Sequence, residues 1–198
     1  MPTPRPAPAT LVRRRGFRVY LRPPRRSDAV AFLAAARASR RLHGRWVRPP
    51  VSPERFAVYV ARFGVGARDP LRANNVGFLV LRGADDALVG VFNLSEIVRG
   101  VFQSAYLGYY AFAPYAGDGY MAEGIELALD AAFRRLKLHR LEVNIQPTNA
   151  RSLALVGGAG FQREGYSRRY VKIAGRWCDH VRLALLAEDW RARRRNAR

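Results

Sequence analysis

The chain is poor in the residues that staple or metallate a fold. Its 198 residues contain a single cysteine, Cys178, so an internal disulfide framework is excluded. Three scattered histidines, His43, His139 and His180, have no second cysteine to join them, and no metal site of recognisable spacing results. Nowhere do eighteen apolar residues run uninterrupted, which excludes a membrane-spanning helix, and the opening MPTPRPAPATLVRRRG lacks the apolar block and cleavage site of a secretory signal. The expectation is a cytoplasmic protein with no metal and no membrane attachment. Lysine is scarce, two against thirty-three arginines, and neither Asp nor Glu occurs in residues 1–26 or 191–198.

What is present is a strongly basic chain, formally +20, with 49% hydrophobic residues and enough length to bury a core as one domain. Thirteen arginines fall in the two acid-free ends. Setting them aside leaves 22 basic against 15 acidic residues, so the body is only mildly cationic. The ends are therefore either solvated basic tails or arms that hold the protein near an RNA-rich partner. The division expected is a disordered basic arm over 1–15, a folded domain over 16–190 and a basic tail over 191–198.

Between the ends, hydrophobic spacing alternates between period two and period 3.6, which predicts an α/β or α+β domain. A short strand is expected near Phe17 to Leu21, then a helix over Asp28 to Ser39 with Asp28 as its N-cap. Ser52-Pro53-Glu54 opens a second helix through about Phe63. Strands follow near Val76 to Leu81 and Leu88 to Leu94, and a third, Tyr106 to Phe112, is apolar or aromatic on both faces, as a central covered strand would be. Met121, Ile125, Leu129, Phe133 and Leu136 form one helical stripe after Gly119. The strand Leu141 to Gln146 alternates, with Glu142, Asn144 and Gln146 on its polar face. Next come a short helix that Asn149 can cap and Gly160 can end, and a hairpin of about Phe161 to Ile173 and Arg176 to Leu186 turning at Ala174-Gly175.

The junction Ala113-Pro114-Tyr115-Ala116-Gly117-Asp118-Gly119-Tyr120-Met121 runs from strand into helix. Backbone N–H groups at a helix mouth can cradle a phosphate or pyrophosphate, although a plain glycine turn reads the same way. The Walker lysine and the three-glycine dinucleotide pattern are both missing, which argues against a P-loop or Rossmann domain. Cys178 and His180 share a strand face without a third orienting group, and read as structural.

Several motifs in order carry a resemblance: Leu107-Gly108-Tyr109, Gly117-Asp118-Gly119-Tyr120-Met121, Asn149-Ala150-Arg151-Ser152, Gly160-Phe161 followed by Glu164-Gly165-Tyr166, and Trp177-Cys178-Asp179-His180. From about Phe17 to Trp190 the chain resembles the GNAT acetyltransferases, and within them the ribosomal-protein alanine N-acetyltransferases of the Rim group. The resemblance implies the GNAT fold: a mixed, mostly antiparallel seven-stranded sheet, splayed between strands 4 and 5 and flanked by about four helices, with acetyl-CoA in the V. It also implies cofactor contacts from Leu107, Gly108, Tyr109, Gly117, Asp118, Gly119, Tyr120, Met121, Asn149 and Arg151.

The superfamily pattern is Gln or Arg, two residues, Gly, one residue, then Gly or Ala. Here Ala116 holds the first place, and Asp118 puts an acid where the family often has a base. Both changes should weaken the hold on a pyrophosphate. By position, the resemblance makes Glu142 the base for the attacking amine and Ser152 the acid for the departing CoA thiolate; Glu96, near the end of a strand, is a fallback base. The alternatives are a Glu142 that is solvated or paired with an arginine, and a Ser152 that bonds its own helix backbone. Val156 stands where many members carry a catalytic tyrosine, which excludes that mechanism.

The implied reaction is acetyl transfer to a primary amine, foremost the N-terminal α-amine of a protein such as a ribosomal protein. Small amines, a polyamine or an aminoglycoside, are the alternative acceptors, and a non-catalytic RNA- or protein-binding module on the same fold is the alternative class. Ribosome or RNA association through the basic tails, and a monomer or homodimer, complete the expectation.

Overall fold

The computed structural model describes residues 12–64 and 73–196. The strands are β1 (Val19–Arg22), β2 (Val76–Arg82), β3 (Leu88–Val98), β4 (Ser104–Ala111), β5 (Arg140–Ile145), β6 (Gln162–Ile173) and β7 (Arg176–Leu186). They form one seven-stranded sheet in the order β1-β2-β3-β4-β5-β7-β6. Every neighbouring pair is antiparallel except β4 and β5. That parallel pair is joined over three positions only, Ser104 to Arg140, Ala105 to Leu141 and Tyr106 to Glu142. Beyond them β4 runs on to Ala111 and β5 to Ile145 without pairing, so the sheet opens into a wedge at its centre.

Helices cover both faces. On one lie α1 (Ala29–Ala38) and α3 (Pro53–Phe63), which bury Phe32, Phe56 and Tyr59 against Leu79, Leu81, Val91 and Phe112. The four-residue α2 (Arg40–His43) follows α1 directly. On the other face lie α4 (Tyr120–Asp130), α5 (Ala150–Gly158) and α6 (Ala187–Asn196). The expected stripe of α4 is the buried one: Ile125, Leu129, Phe133 and Leu136 are each at most 3% exposed. A full burial of such side chains is worth about 1.5–3 kcal/mol apiece, so this stripe anchors the helix. Gly124 lets α4 press onto the sheet, since a Cβ there would stand 2.9 Å from the Phe92 ring and 3.3 Å from Val80. After Asp130 the helix widens into a π turn, Ala131–Arg135, closed by the Leu136 N–H on the Ala131 carbonyl at 2.9 Å.

Several expectations need correction. Six helices stand where about four were expected, the additions being α2 and α6. β4 is central in order, but it is not covered on both faces: Tyr106 and Gly108, two apart and so on one face, are exposed. Asp28 makes no capping bond to α1. Its carboxylate instead accepts from the Arg25 N–H at 2.7 Å and takes both Arg22 guanidinium nitrogens. Ser52 does cap α3, accepting from the Arg55 N–H.

Residues 1–11 of the expected arm, and 197–198 of the expected tail, lie outside the described residues. The adjoining residues belong to the fold: Val12 is 1% exposed and bridges to Leu21, and 191–196 continue α6. There Arg193 pairs with Glu126 and Arg194 with Asp130, and Trp190 of the same helix is 1% exposed against Phe133. Among the described residues no helix is long and apolar enough to cross a membrane.

Candidate active site

The wedge is lined by Leu107, Gly108 and Tyr109 of β4, by 143–146 at the end of β5, by Asn149 and Ser152 at the start of α5, and by His180 of β7. Trp46 and Val47 close it from the loop after α2. That loop is tied to the β5–α5 connection by Arg45 Nη2 on Thr148 Oγ1 at 3.2 Å and by Gln146 Nε2 on the Arg45 carbonyl at 3.3 Å. The cleft encloses about 130 Å³. Its β4 wall leaves open space at Gly108, where a Cβ would meet nothing within 4 Å. One lining atom, Asn144 Oδ1, is buried without a hydrogen-bond partner. A buried acceptor left unpaired in a cleft is a place for a ligand's donor.

The expected helix mouth follows β4 in the chain, at the end where β4 has parted from β5. Gly117 (φ 111°) and Gly119 (φ 82°) hold backbone conformations that side chains rarely adopt, and they turn the chain from strand into α4. The first α4 amides to find acceptors inside the helix are those of Ala122 and Glu123, both on the Gly119 carbonyl. The amides before them have no acceptor inside the helix and lie at the positive end of its dipole. Gly117, Asp118 and Gly119 are exposed, and Tyr120 and Met121 are half-buried. Residue types and shape together fit a phosphate-bearing cofactor whose arm enters the wedge.

One basic residue at this helix mouth escaped the reading of the sequence. Arg18, just before β1, donates through Nε to Glu123 Oε1 at 2.6 Å and through Nη2 to the Asp118 carbonyl at 3.0 Å, with its guanidinium 4.4 Å above the Tyr120 ring. The Glu123 carboxylate raises the Arg18 pKa and pairs with its charge. Arg82 likewise lies over Tyr115 at 5.0 Å. Both arginines are ion-paired, Arg18 with Glu123 and Arg82 with Asp85, so they brace the loop without replacing the charge that Ala116 and Asp118 do not supply.

Asn149 caps α5 as expected, accepting from the Ser152 N–H at 3.3 Å. The Ser152 hydroxyl is not turned back on its own helix: it meets the Tyr109 hydroxyl at 2.5 Å. Tyr109 also lies 3.1 Å from the Ser152 carbonyl and packs on Phe92. Burial pushes the Tyr109 phenol up to about 12, against the opposing effect of the Ser152 bond. Arg151 is exposed on the first turn of α5.

Glu142 is placed at the closed end of the wedge, in the last β4–β5 pair, and is not among the residues lining the cleft. Its Oε1 accepts from Arg140 Nε at 2.9 Å, and Arg140 also holds Glu164. Beside it the Tyr106 hydroxyl is bonded to Tyr170, which together with partial burial pushes Tyr106 up to about 12. Glu96 is away from the cleft on β3, paired with Arg62 at 3.0 Å. Cys178 and His180 share a face but do not meet as nucleophile and base. The His180 Nδ1–H donates to the Cys178 carbonyl at 3.0 Å, and the thiol points to the Arg176 carbonyl.

Comparison with known proteins agrees with this geometry. The chain is 42% identical over 112 residues to the probable N-acetyltransferase YjcK of Bacillus subtilis (strain 168), covering 57% of this chain and 62% of that protein. It is 41% identical over 103 residues to the ribosomal protein uS5 alanine N-acetyltransferase of Escherichia coli (strain K12), covering 52% and 53%. The match therefore spans between half and two thirds of each relative. Among solved structures, Mycobacterium smegmatis RimJ in complex with CoA-disulfide superposes with a TM-score of 0.78 at 26% identity, covering 86% of this chain and 82% of that one. Residues 18–162 match the acetyltransferase (GNAT) domain, and the chain belongs to the GNAT acetyltransferase family.

Proposed function

We propose that this chain is an acetyl-CoA-dependent N-acetyltransferase whose acceptor is the N-terminal α-amine of a protein, in the manner of the ribosomal-protein relatives. The observation that carries the reading is the parting of β4 from β5 after Tyr106, with the Gly117–Gly119 helix mouth following β4 at its unpaired end. Bound acetyl-CoA supplies an activated acetyl thioester for direct attack by the amine. Amides of residues 117–121 hold the pyrophosphate, and Arg151 reaches a further phosphate. Leu107, Gly108 and Tyr109 guide the arm along β4 opposite Asn149. Unpaired β4 backbone amides beyond Tyr106 stabilise negative charge on the thioester oxygen.

Glu142 takes the amine's proton at Oε2 through water, its Oε1 being anchored on Arg140, and Ser152 Oγ–H serves the departing sulfur. An α-amine titrates near 8, a lysine near 10.4, so the former needs only modest help to become neutral. Small polyamines are disfavoured as acceptors because no carboxylate is among the described residues that line the cleft, and Glu142 and Glu164 are both held by Arg140. The arginines of residues 1–15 would bring the protein to an RNA-rich partner, whereas Arg193 and Arg194 are engaged in the fold.

The test is incubation with labelled acetyl-CoA and cell lysate, with and without ribosomes. Label at protein N-termini is the expected result, and label on polyamines alone would replace this acceptor. No measurable binding of acetyl-CoA at millimolar concentration would favour a non-catalytic module.

A further inference from the structure

Tyr109 and Ser152 are 43 positions apart and come from opposite sides of the wedge, β4 and α5. A serine in a first helical turn ordinarily turns its hydroxyl onto nearby backbone. Ser152 instead has its Oγ 2.5 Å from the Tyr109 hydroxyl, while its own N–H is taken by Asn149. The single phenolic proton of Tyr109 has two acceptors in reach, Ser152 Oγ at 2.5 Å and the Ser152 carbonyl at 3.1 Å, and the shorter is the hydroxyl. A phenol is the better donor of the two hydroxyls. With Tyr109 donating, the only Ser152 proton is left to point into the cleft that both residues line.

Resting on the acetyl-transfer reading above, we infer that Tyr109 is the positioning residue for the leaving group: it fixes Ser152 so that the Ser152 hydroxyl donates to the sulfur of CoA. Burial holds the Tyr109 hydroxyl protonated at neutral pH, so it remains a donor throughout. As the amine nitrogen bonds to the acetyl carbon, the C–S bond breaks and its electron pair goes to sulfur. The amine's proton leaves to the base, and the thiolate is later protonated from water. Tyr109 and Ser152 keep their protons and act only as hydrogen-bond donors, the Ser152 bond becoming the stronger as its sulfur acceptor becomes charged.

The test is a titration of the thiol of CoA bound to the full chain, followed by thiolate absorbance, with affinity for a desulfo analogue of CoA as control. The bound thiol should titrate about one pH unit below free CoA, about a tenfold preference for thiolate. Tyr109→Phe, which keeps the ring on Phe92, and Ser152→Ala should each abolish the lowering. The double variant should lose no more than either single one, with every protein titrated at a CoA concentration that its own desulfo-CoA affinity shows to be saturating. If Ser152→Ala abolishes the lowering and Tyr109→Phe does not, Tyr109 has no positioning role. If the wild-type thiol is not lowered although the protein binds CoA and transfers acetyl, the inference fails and the acetyl-transfer reading stands. If the wild-type protein binds neither CoA nor acetyl-CoA, both fail.

Discussion

Replacing Gly108 by valine separates the fold from the wedge. Gly108 pairs with Asn93 on one side of β4 and borders the cleft on the other, and a Cβ built on it meets nothing within 4 Å. Its backbone is extended, a conformation that β-branched residues favour, so valine should leave the folded chain intact or raise its melting temperature slightly. The cleft, however, holds only about 130 Å³. Three added carbons on its β4 wall occupy space that the arm and acetyl group of the cofactor need. Forcing extra methyl groups into a fitted site costs about 1–3 kcal/mol, which is a rise of about 5- to 150-fold in Kd for acetyl-CoA. Calorimetric titration of both proteins, beside their thermal melts, reads the two effects separately. An acetyl-CoA affinity unchanged within twofold, in a valine variant of normal melting temperature, would show that the ligand does not pass over Gly108.

Glu142→Gln should slow acetyl transfer at neutral pH and slow it less at high pH, where the acceptor amine is already neutral; a pH–rate profile parallel to wild type would remove Glu142 as base. Trp190→Ala should destabilise by about 3–5 kcal/mol and lower the melting temperature by about 10 °C, because the side chain fills the seat of α6 against Phe133. His43 is buried and donates from Nε2 to the Ala111 carbonyl at 2.9 Å, and burial lowers its pKa. Its folded pKa lies below the unfolded value near 6.5, so its contribution is complete above that pH and is lost as pH falls below it. His43→Gln should therefore flatten the pH dependence of the melting temperature between about pH 7 and 5.

Elements whose stability is local were legible before the structure. The α4 stripe repeats at helical spacing, β5 alternates strictly, and Ser52 and Asn149 cap the helices they precede. Ala174-Gly175 turns the β6–β7 hairpin with φ of 50° and 83°, as a two-residue loop requires. α6 escaped notice because its apolar face is little more than Ala187 and Trp190. Its arginines find partners at Glu126 and Asp130, more than sixty positions earlier. The candidate site divides the same way. Its glycine loop is contiguous and carries a motif, whereas Arg18 at the loop was one basic residue among eight in the first 26, and the Tyr109–Ser152 contact bridges two separate motifs. The pairing of Glu142 with Arg140 was an open alternative in the sequence and is the geometry observed.

The central claim is that the open wedge and the helix mouth beside it receive the cofactor. Amide hydrogen exchange of the full chain with and without acetyl-CoA tests it residue by residue. Slowed exchange concentrated in residues 107–111 and 117–121 and at the start of α5 is the predicted result. Binding that protects some other region while those amides exchange as before would contradict it.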